Sequence, residues 1–454
     1  MAKQHRLRKR ILTLAVGGAL LGAAALGISW KNNLQAQEEI PEGTPLNKGN
    51  LDQLLGKNFD GHAMRDLIPP FLETFIRDYN WRFVRLMKSH ENDPKMSPVK
   101  KGMIESTNLF KGQAKLNPTT KKIENYTAGI PFLDISLDDP LAGYKVMQNA
   151  HKPSWLTDQA LGLADGMLIN GKSGPEKQIG FTIGIFRFRG RQHQPWVVES
   201  VPYHSALMIF QKYPTDAKGV GMMLLMYPDA RTPDIYAYVR MIRRTRRLSG
   251  NAWGDPLAGT DLTFDGLLGI VGDPSWYPEM KLKSKRHVLG LLHGEQYLEK
   301  MPKGWGQPGM VSTASDLPGR FPQMDLKSPP YWVLEQVGEP LSVYEVEITP
   351  PKGFLWSKRV MYIGATRYFP AAFWGEEYDR KGKLWKVLPT AFFFVEDAEK
   401  EYGIAPYYFG AADLQRNHAT MIQPDVPRWQ PVWNQGSLEL SKQITPDNIP
   451  NLVE

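Results

Sequence analysis

Residues 179–189 read Ile-Gly-Phe-Thr-Ile-Gly-Ile-Phe-Arg-Phe-Arg. The stretch is rich in β-branched and aromatic residues, has no apolar repeat at helical spacing, and ends in alternation of apolar and charged residues. Side chains of a strand point alternately to its two faces, so this pattern is typical of a β-strand. The segment therefore predicts a β-strand.

Comparable segments recur along the chain, with turns about every ten residues. Their connections carry Pro and Gly, of which the 454 residues contain 36 and 41. Short strands at this spacing predict a mainly β fold with helices (α+β), built on one large antiparallel sheet that is curved or closed. Apolar residues at helical spacing between 63 and 88, interrupted by Pro69-Pro70, predict a short helix and a longer one. The predicted strands include 205–213, 221–227, 235–248, 341–349, 359–365 and 383–395.

The first 36 residues have the layout of a secretory signal peptide. Five basic residues precede residue 11, and an apolar run follows from Ile11 to Ile28. This order is typical of export signals, and we predict cleavage after Ala36. The 18 residues of the run are also near the lower limit for spanning a bilayer, so an uncleaved inner-membrane anchor is the alternative. Either way, we expect the working chain in the periplasm.

The charge balance changes when the signal is removed. Residues 1–36 hold six of the 55 basic residues and no acidic ones, which leaves 49 basic against 47 acidic residues in the remainder. A nearly neutral exported chain argues against nucleic acid as a partner. The absence of Cys excludes disulfides, a thiol nucleophile, a cysteine-ligated metal and an acylated lipoprotein anchor.

The segment 236–249 is strongly basic, and a segment with several acidic residues follows it. If the basic segment is one strand, three of its arginines share one face and two share the other. Because Arg pairs with carboxylates, we interpret the two segments as an ion-pair network that pins a loop to the sheet, or as an anion, lipid-headgroup or docking site. The residues are Arg240, Arg243, Arg244, Arg246, Arg247, Asp255, Asp261 and Asp265.

Two predicted strands are apolar on both faces: 221–227 and 390–395. Each is interpreted either as a strand packed on both sides or as part of a sheet face that lines an apolar pocket. Met suits such a lining because its side chain is flexible. The candidate ligand-binding residues are Met222, Leu224, Met226, Phe392 and Phe394.

No catalytic constellation can be assembled from the sequence. The nine histidines lack a metal-binding spacing such as HExxH, and the acidic residues after position 254 do not match an EF-hand loop. There is no GxSxG nucleophile motif. We therefore predict no catalytic residues, no metal and no cofactor.

Four motifs, in order, resemble the signatures of a large Gram-negative family of exported proteins of unknown function, related to the outer-membrane lipoprotein-sorting carriers. The first is Ala128-Gly-Ile-Pro-Phe with Gly143, Lys145 and Asn149. The second runs from Arg243-Arg-Thr-Arg-Arg-Leu through Asp255-Pro to Gly259-Thr-Asp. The third is Glu377-Tyr-Asp-Arg-Lys-Gly-Lys-Leu-Trp-Lys, and the fourth is Asp413-Leu-Gln-Arg-Asn-His-Ala-Thr. Together they span about residues 60–430.

The resemblance implies an unclosed half-barrel with helices in its mouth. It also implies the handling of a lipid or another hydrophobic molecule in the envelope, with an exporter of the resistance-nodulation-division class as partner and peripheral membrane contact. The predicted organisation is a signal peptide (1–36), an extended lead-in (37–60), a single half-barrel domain (61–430) and a surface-wrapping tail (431–454). A periplasmic binding or carrier protein is thus the first hypothesis, and a structural or docking component of an envelope complex is the alternative.

Overall fold

A large sheet organises the part of the chain that the computed structural model describes. The described residues are 38–91, 101–154, 158–214, 218–249, 253–257, 259–267, 272–291, 324–366, 368–396, 402–424 and 443–453. The predicted signal peptide lies outside them. The strands are β1 (Asn58–Phe59), β2 (His62–Ala63), β3 (Arg82–Leu86), β4 (Lys115–Leu116), β5 (Ile123–Glu124), β6 (Gln159–Asn170), β7 (Gly174–Arg187), β8 (Ser205–Tyr213), β9 (Gly221–Met226), β10 (Asp234–Val239), β11 (Arg244–Leu248), β12 (Glu279–Gly290), β13 (Met324–Asp325), β14 (Val333–Thr349), β15 (Lys358–Gly364), β16 (Ala372–Tyr378), β17 (Leu384–Glu396), β18 (Tyr402–Asp413) and β19 (His418–Pro424).

The helices are short and lie mainly before the sheet. They are α1 (Leu51–Leu54), α2 (Met64–Leu67), α3 (Pro70–Tyr79), α4 (Lys101–Leu109), α5 (Ala142–His151) and α6 (Ile449–Val453). Three 3-10 turns cover Arg240–Ile242, Pro274–Trp276 and Pro446–Asn448.

Fifteen of the described strands form the large sheet, in the order β11-β10-β9-β8-β7-β6-β19-β18-β17-β16-β15-β14-β12. Strands β13 and β3 also pair with β14, and the β3–β14 pair is parallel. Strands β11 and β12 stand at the two ends and do not pair with each other in the described residues, so the sheet is unclosed. This confirms the predicted fold class, mainly β with helices packed on a large open sheet.

Two predicted elements were wrong in extent. Residues 235–248 form a hairpin rather than one strand, because the chain reverses at the 3-10 turn Arg240–Ile242 and at Arg243, whose φ is 48°. The helical region predicted to reach residue 88 ends at Tyr79, where Asn80 takes a left-handed conformation with φ of 56°. The residues after it form β3, which pairs with β14.

Residues 38–60 are also more ordered than the extended lead-in that we expected. They contain α1 and β1, and the backbone at Leu46 bridges to Phe83 in β3. Leu46, Leu51 and Phe59 are completely buried. The polar residues between them face solvent, so a segment that is polar on average still adds apolar side chains to the core.

One face of the sheet, here named the plug face, carries a continuous apolar cluster. It runs from Leu224 and Ile235 at one end to Met280 and Ile348 at the other. The elements that cover it, here named the plug, are α5 and the loop made of residues 253–257 and 259–267. Side chains from both parts of the plug belong to this cluster: Tyr144, Val146, Met147, Trp253, Leu257, Leu262, Phe264 and Leu267.

The opposite face is covered by two other groups of residues. Helix α3 packs its aromatic face there, and Phe75 stacks on Trp81 and Trp332 at centroid distances of 4.7 and 5.4 Å. At the other half of the sheet, Ile444 and Ile449 from the C-terminal segment join side chains of β8 and β9. Both faces of the sheet are therefore largely covered, although Ile183, Leu207 and Met222 on the plug face are only partly buried. A ligand site is expected where the cover is incomplete.

Candidate functional site

Five charged or titratable residues stand directly opposite one another across the neighbouring strands β15 to β19. Directly opposite residues on antiparallel strands share a face, and here that face is the plug face, because the plug loop contacts both ends of the row. We name the row the charge ladder. Its members, in order, are Arg359, Glu377, Lys386, Asp413 and His418.

Arg359 forms the buried centre of one end of the charge ladder. Its side chain is 0% exposed and donates hydrogen bonds to Glu377 Oε1 at 2.5 and 3.1 Å and to Asp265 Oδ2 at 2.6 Å. The guanidinium also lies 4.4 Å from the ring centre of Trp356. Burial by itself would lower the pKa of Arg359, but the two carboxylates outweigh it and raise that pKa above its ordinary value. Arg359 therefore stays charged.

Asp261 of the plug loop is held at the other end of the charge ladder. Its Oδ2 lies 2.6 Å from His418 Nδ1 and accepts a hydrogen bond from Thr420 Oγ1 at 2.8 Å. Its backbone carbonyl accepts a hydrogen bond from Lys386 Nζ at 2.6 Å. Asp261 and Asp265 thus fix the plug loop to strands β15, β17 and β19.

The His418–Asp261 pair does not have the geometry of a hydrolytic triad. In a triad, the nucleophile's hydroxyl bonds the histidine nitrogen that faces away from the carboxylate. Here Thr420 Oγ1 bonds the carboxylate itself, and His418 Nε2 faces Glu176 Oε2 at 3.4 Å. Both ring nitrogens are therefore engaged by carboxylates. The arrangement can hold charge and fix a loop, and it presents no nucleophile to a substrate.

Protonation of His418 is expected to stabilise the fold. The hydrogen bond to Asp261, together with the charges of Asp261 and Glu176, raises the pKa of His418. A raised folded-state pKa gives stability that is complete below the unfolded value of about 6.5 and is lost as pH rises through the folded value. The free energy of unfolding of the wild type should therefore exceed that of His418→Gln most in mildly acid buffer. Urea unfolding of both at several pH values checks this; a difference that does not change with pH would contradict it.

A groove lies beside α5 on the plug face, away from the charge ladder. It is bounded by residues 130–135, by α5 at Val146 and Asn149, and by the ends of β14 and β15, and it is a shallow groove open to solvent, with a cavity volume of about 20 Å³. Most of its lining is apolar. The lining residues are Ile130, Phe132, Leu133, Ile135, Val146, Asn149, Tyr344, Ile363, Gly364, Ala365, Thr366 and Pro370.

The wall of the groove is built by specific contacts of the first motif. The Asn149 amide accepts a hydrogen bond from Phe132 N at 3.0 Å and donates one to Phe132 O at 2.6 Å, which fixes the 130–135 segment against α5. Gly143 lets α5 lie directly on β12, because a Cβ there would be 2.4 Å from Met280 O. Lys145 Nζ lies 2.5 Å from Asp139 Oδ2. The contacts between Asn149 and Phe132 therefore fix one wall of the groove.

All four motifs quoted from the sequence lie within the range that one known family model matches. The family model described as "Protein of unknown function (DUF1329)" matches residues 46–449. The chain belongs to the DUF1329 family. This confirms the predicted membership of an uncharacterised family. No curated protein matches the sequence.

Three solved structures are similar to this DUF1329 protein. A putative outer membrane lipoprotein-sorting protein domain from Vibrio parahaemolyticus is 14% identical, with 69% of this chain and 100% of that chain covered and a TM-score of 0.44. A DUF1329 family protein from Desulfovibrio piger is 15% identical, with coverages of 63% and 91% and a TM-score of 0.38. A LolA superfamily protein from Nitrosomonas europaea is 10% identical, with coverages of 59% and 84% and a TM-score of 0.32.

The structure does not bring the five candidate ligand-binding residues together. Leu224 is buried on the plug face with Met222 packed beside it, and Met226 is buried at the end of β9. Phe392 is buried on the opposite face, 5.5 Å from Phe369 between ring centres. The backbone of Phe394 pairs in β17, and its side chain lies outside the described residues. None of these residues lines the groove described above, and their role in binding a ligand stays a prediction.

The predicted ion pairs between the arginines and the three acidic residues do not form. Asp265 pairs with Arg359, Asp261 pairs with His418, and Asp255 is exposed. The arginines lie instead on the exposed β10–β11 hairpin at the edge of the sheet. Within the described residues, only Arg247 has a carboxylate partner, Asp234. Proximity in sequence was misleading because the plug loop crosses to the middle of the sheet, while the hairpin stays at its edge.

Sequence reasoning missed the roles of Arg359, Glu377 and His418, although the last two lie inside quoted motifs. For Arg359 a signal exists: it stands in the otherwise apolar run Arg359-Val-Met-Tyr-Ile-Gly364. A charge that adjoins an apolar run in a buried strand implies a buried partner. The identity of that partner depends on strand register, which the sequence does not reveal.

Neither a membrane span nor a metal cluster is found in the part of the chain that the structure describes. Among those residues, no helix combines the length and apolar character needed to cross a membrane. Across the same residues, no cluster of three or more His, Asp or Glu side chains is arranged to hold a metal ion.

Proposed function

We propose that this DUF1329 protein is a periplasmic binding or carrier protein for a lipid or another hydrophobic molecule. The groove beside α5 carries this proposal. It joins an apolar lining to an opening towards solvent, and it adjoins the apolar cluster of the plug face. An acyl chain placed there gains about 0.8 kcal/mol for each buried CH₂.

The two parts of the plug are held to the sheet by different kinds of contact, and this difference supports the proposal. The plug loop is held to the sheet by buried charges at Asp261 and Asp265. Helix α5 lies tightly on β12 at Gly143, whereas beside Val146 and Asn149 the groove runs between it and the ends of β14 and β15. A ligand chain would therefore enter along this side of α5 and widen the groove, while the charge ladder keeps the rest of the cover in place.

Filling the groove is expected to abolish binding. Ala365 lines it and is half-buried, so Ala365→Trp should occupy the space without disturbing the core. We expect mass spectrometry of solvent extracts to find co-purified lipid with the wild type and at least about tenfold less with Ala365→Trp, a loss worth about 1.4 kcal/mol.

The matched control adds the same side chain away from the groove. Lys172 lies in the exposed turn between β6 and β7, so Lys172→Trp should retain lipid as the wild type does. Both variants should have the wild-type thermal unfolding midpoint. If no lipid is recovered from the wild type, and a fluorescent fatty acid does not bind to it either, the carrier proposal fails.

The location and the partner follow from the sequence rather than from the groove. Residues 1–36 support export to the periplasm by a cleaved signal, with the uncleaved anchor through 11–28 as the alternative. An exporter of the resistance-nodulation-division class is the partner implied by the resemblance to the exported family. It would receive or supply the hydrophobic molecule, which cannot cross water alone at a useful concentration.

A further inference from the structure

The tip of the β10–β11 hairpin exposes apolar side chains at the edge of the sheet. Met241 is 91% exposed and Ile242 is 49% exposed, and both stand in the 3-10 turn where the chain reverses. Leu248, at the far end of β11, is also exposed. Exposure of apolar side chains to water is unfavourable. Adjacent exposed apolar side chains at the tip of a hairpin therefore indicate a contact site.

The same hairpin is densely cationic. Five exposed arginines lie within the eight residues 240–247, and the sequence has no acidic residue between Asp234 and Asp255. Among the described residues, only Arg247 is paired, with Asp234. Arg240, Arg243, Arg244 and Arg246 therefore present uncompensated guanidinium groups around Met241 and Ile242.

We propose that this hairpin tip docks the protein on an anionic phospholipid membrane, with Met241 and Ile242 in the acyl boundary and the arginines on headgroup phosphates. Guanidinium groups bind phosphate oxygens in bidentate geometry. An anionic bilayer surface binds basic side chains that lie beside apolar ones. The basic groups contact the headgroups, and the apolar atoms lie just below them.

Two other roles, protection of the sheet edge and binding of an acidic protein, would each explain only part of the hairpin. Positive charge on an edge strand prevents pairing with other sheets, which explains Arg244 and Arg246 on β11. It does not explain why Met241 is the most exposed large apolar side chain in the described part of the chain. An acidic protein partner would be matched by the arginines, but it would leave the two apolar side chains at the tip in water.

The strand pairing gives the docked protein an orientation. Arg244 and Arg246 pair with Val239 and Ala237, and they share the face of the sheet on which Ile235 lies. That face is the plug face. A protein bound through the hairpin therefore turns guanidinium groups of its plug face towards the headgroups. The docking does not depend on the carrier function.

Sedimentation with vesicles tests the docking in the full chain. We expect vesicles of phosphatidylcholine with about 30% phosphatidylglycerol to bind the wild type, and the double variant Arg243→Glu/Arg246→Glu to bind at least about tenfold more weakly. Added salt should weaken the binding of the wild type. Lys115→Glu/Arg416→Glu, which reverses two exposed charges elsewhere, should bind as the wild type does.

The absence of cysteine allows a direct measure of insertion. Met241→Cys, labelled with a polarity-sensitive fluorophore, should shift to shorter emission wavelengths with anionic vesicles, whereas labelled Lys172→Cys should not. Equal binding to pure phosphatidylcholine, an unchanged affinity after charge reversal in a folded variant, or no shift at position 241 would each overturn the proposal. Ala365→Trp should still bind vesicles, which separates this test from that of the carrier function.

Discussion

Replacing Arg359 by methionine is expected to lower the free energy of unfolding by about 3–5 kcal/mol, the cost of breaking a buried ion pair from one side. The substitution leaves Asp265 and Glu377 buried and facing each other without the charge that both now bind. It also removes the guanidinium that lies against Trp356. Guanidinium chloride unfolding, followed by far-UV circular dichroism, measures the change.

The control is an arginine that has the same charge but is exposed to solvent. Arg416 is exposed in the turn between β18 and β19, so Arg416→Met should change the free energy of unfolding by less than about 0.5 kcal/mol. If Arg359→Met costs no more than Arg416→Met, the charge ladder does not stabilise the fold through this buried arginine.

Adding a side chain at Gly143 is expected to cost about 3 kcal/mol, because overpacking a buried contact forces backbone movement. A Cβ at this position would lie 2.4 Å from Met280 O and 2.6 Å from Met280 C, and neither backbone atom can move as a flexible side chain can. Gly143→Val should therefore lift α5 from β12 and also expose part of the plug face. Unfolding in urea measures the first effect, and binding of a hydrophobic dye measures the second.

Gly56→Val provides the comparison for this prediction. A Cβ at Gly56 would meet nothing within 4 Å, and the residue is exposed. We expect a change of at most about 1 kcal/mol there, the ordinary effect of altering a surface turn. If both variants lose the same free energy of unfolding, Gly143 is not required for the close approach of α5 to β12.

The four motifs quoted from the sequence serve different parts of this structure. The first places α5 on β12 through Gly143 and fixes a wall of the groove through the Asn149 contacts to Phe132. The acidic part of the second joins the third and fourth in the charge ladder, through Asp261, Glu377 and His418. The arginines of the second form the β10–β11 hairpin. Motifs that are far apart in sequence therefore meet because the sheet places β15 to β19 side by side.

Local sequence patterns were enough to predict the mainly β fold and the family, and both predictions are confirmed. Alternation and turn residues are local properties, so β8 was predicted with the same bounds that the structure has. Local patterns also indicated that β9 and β17 are apolar on both faces. The structure agrees for β9, where Leu224 and Met223 are buried on opposite faces of the sheet.

Which charges pair with one another follows from the folded structure and not from local sequence patterns. The arginines of the hairpin and Asp261 are near one another in sequence, yet the carboxylate lies on His418, which is 157 residues away along the chain. Register and strand order are set by the burial of whole faces and by the long connection that carries the plug loop across the sheet, and neither is encoded in a local pattern. The residue types that can form buried pairs are visible in the sequence, but the pairing itself is a property of the folded sheet.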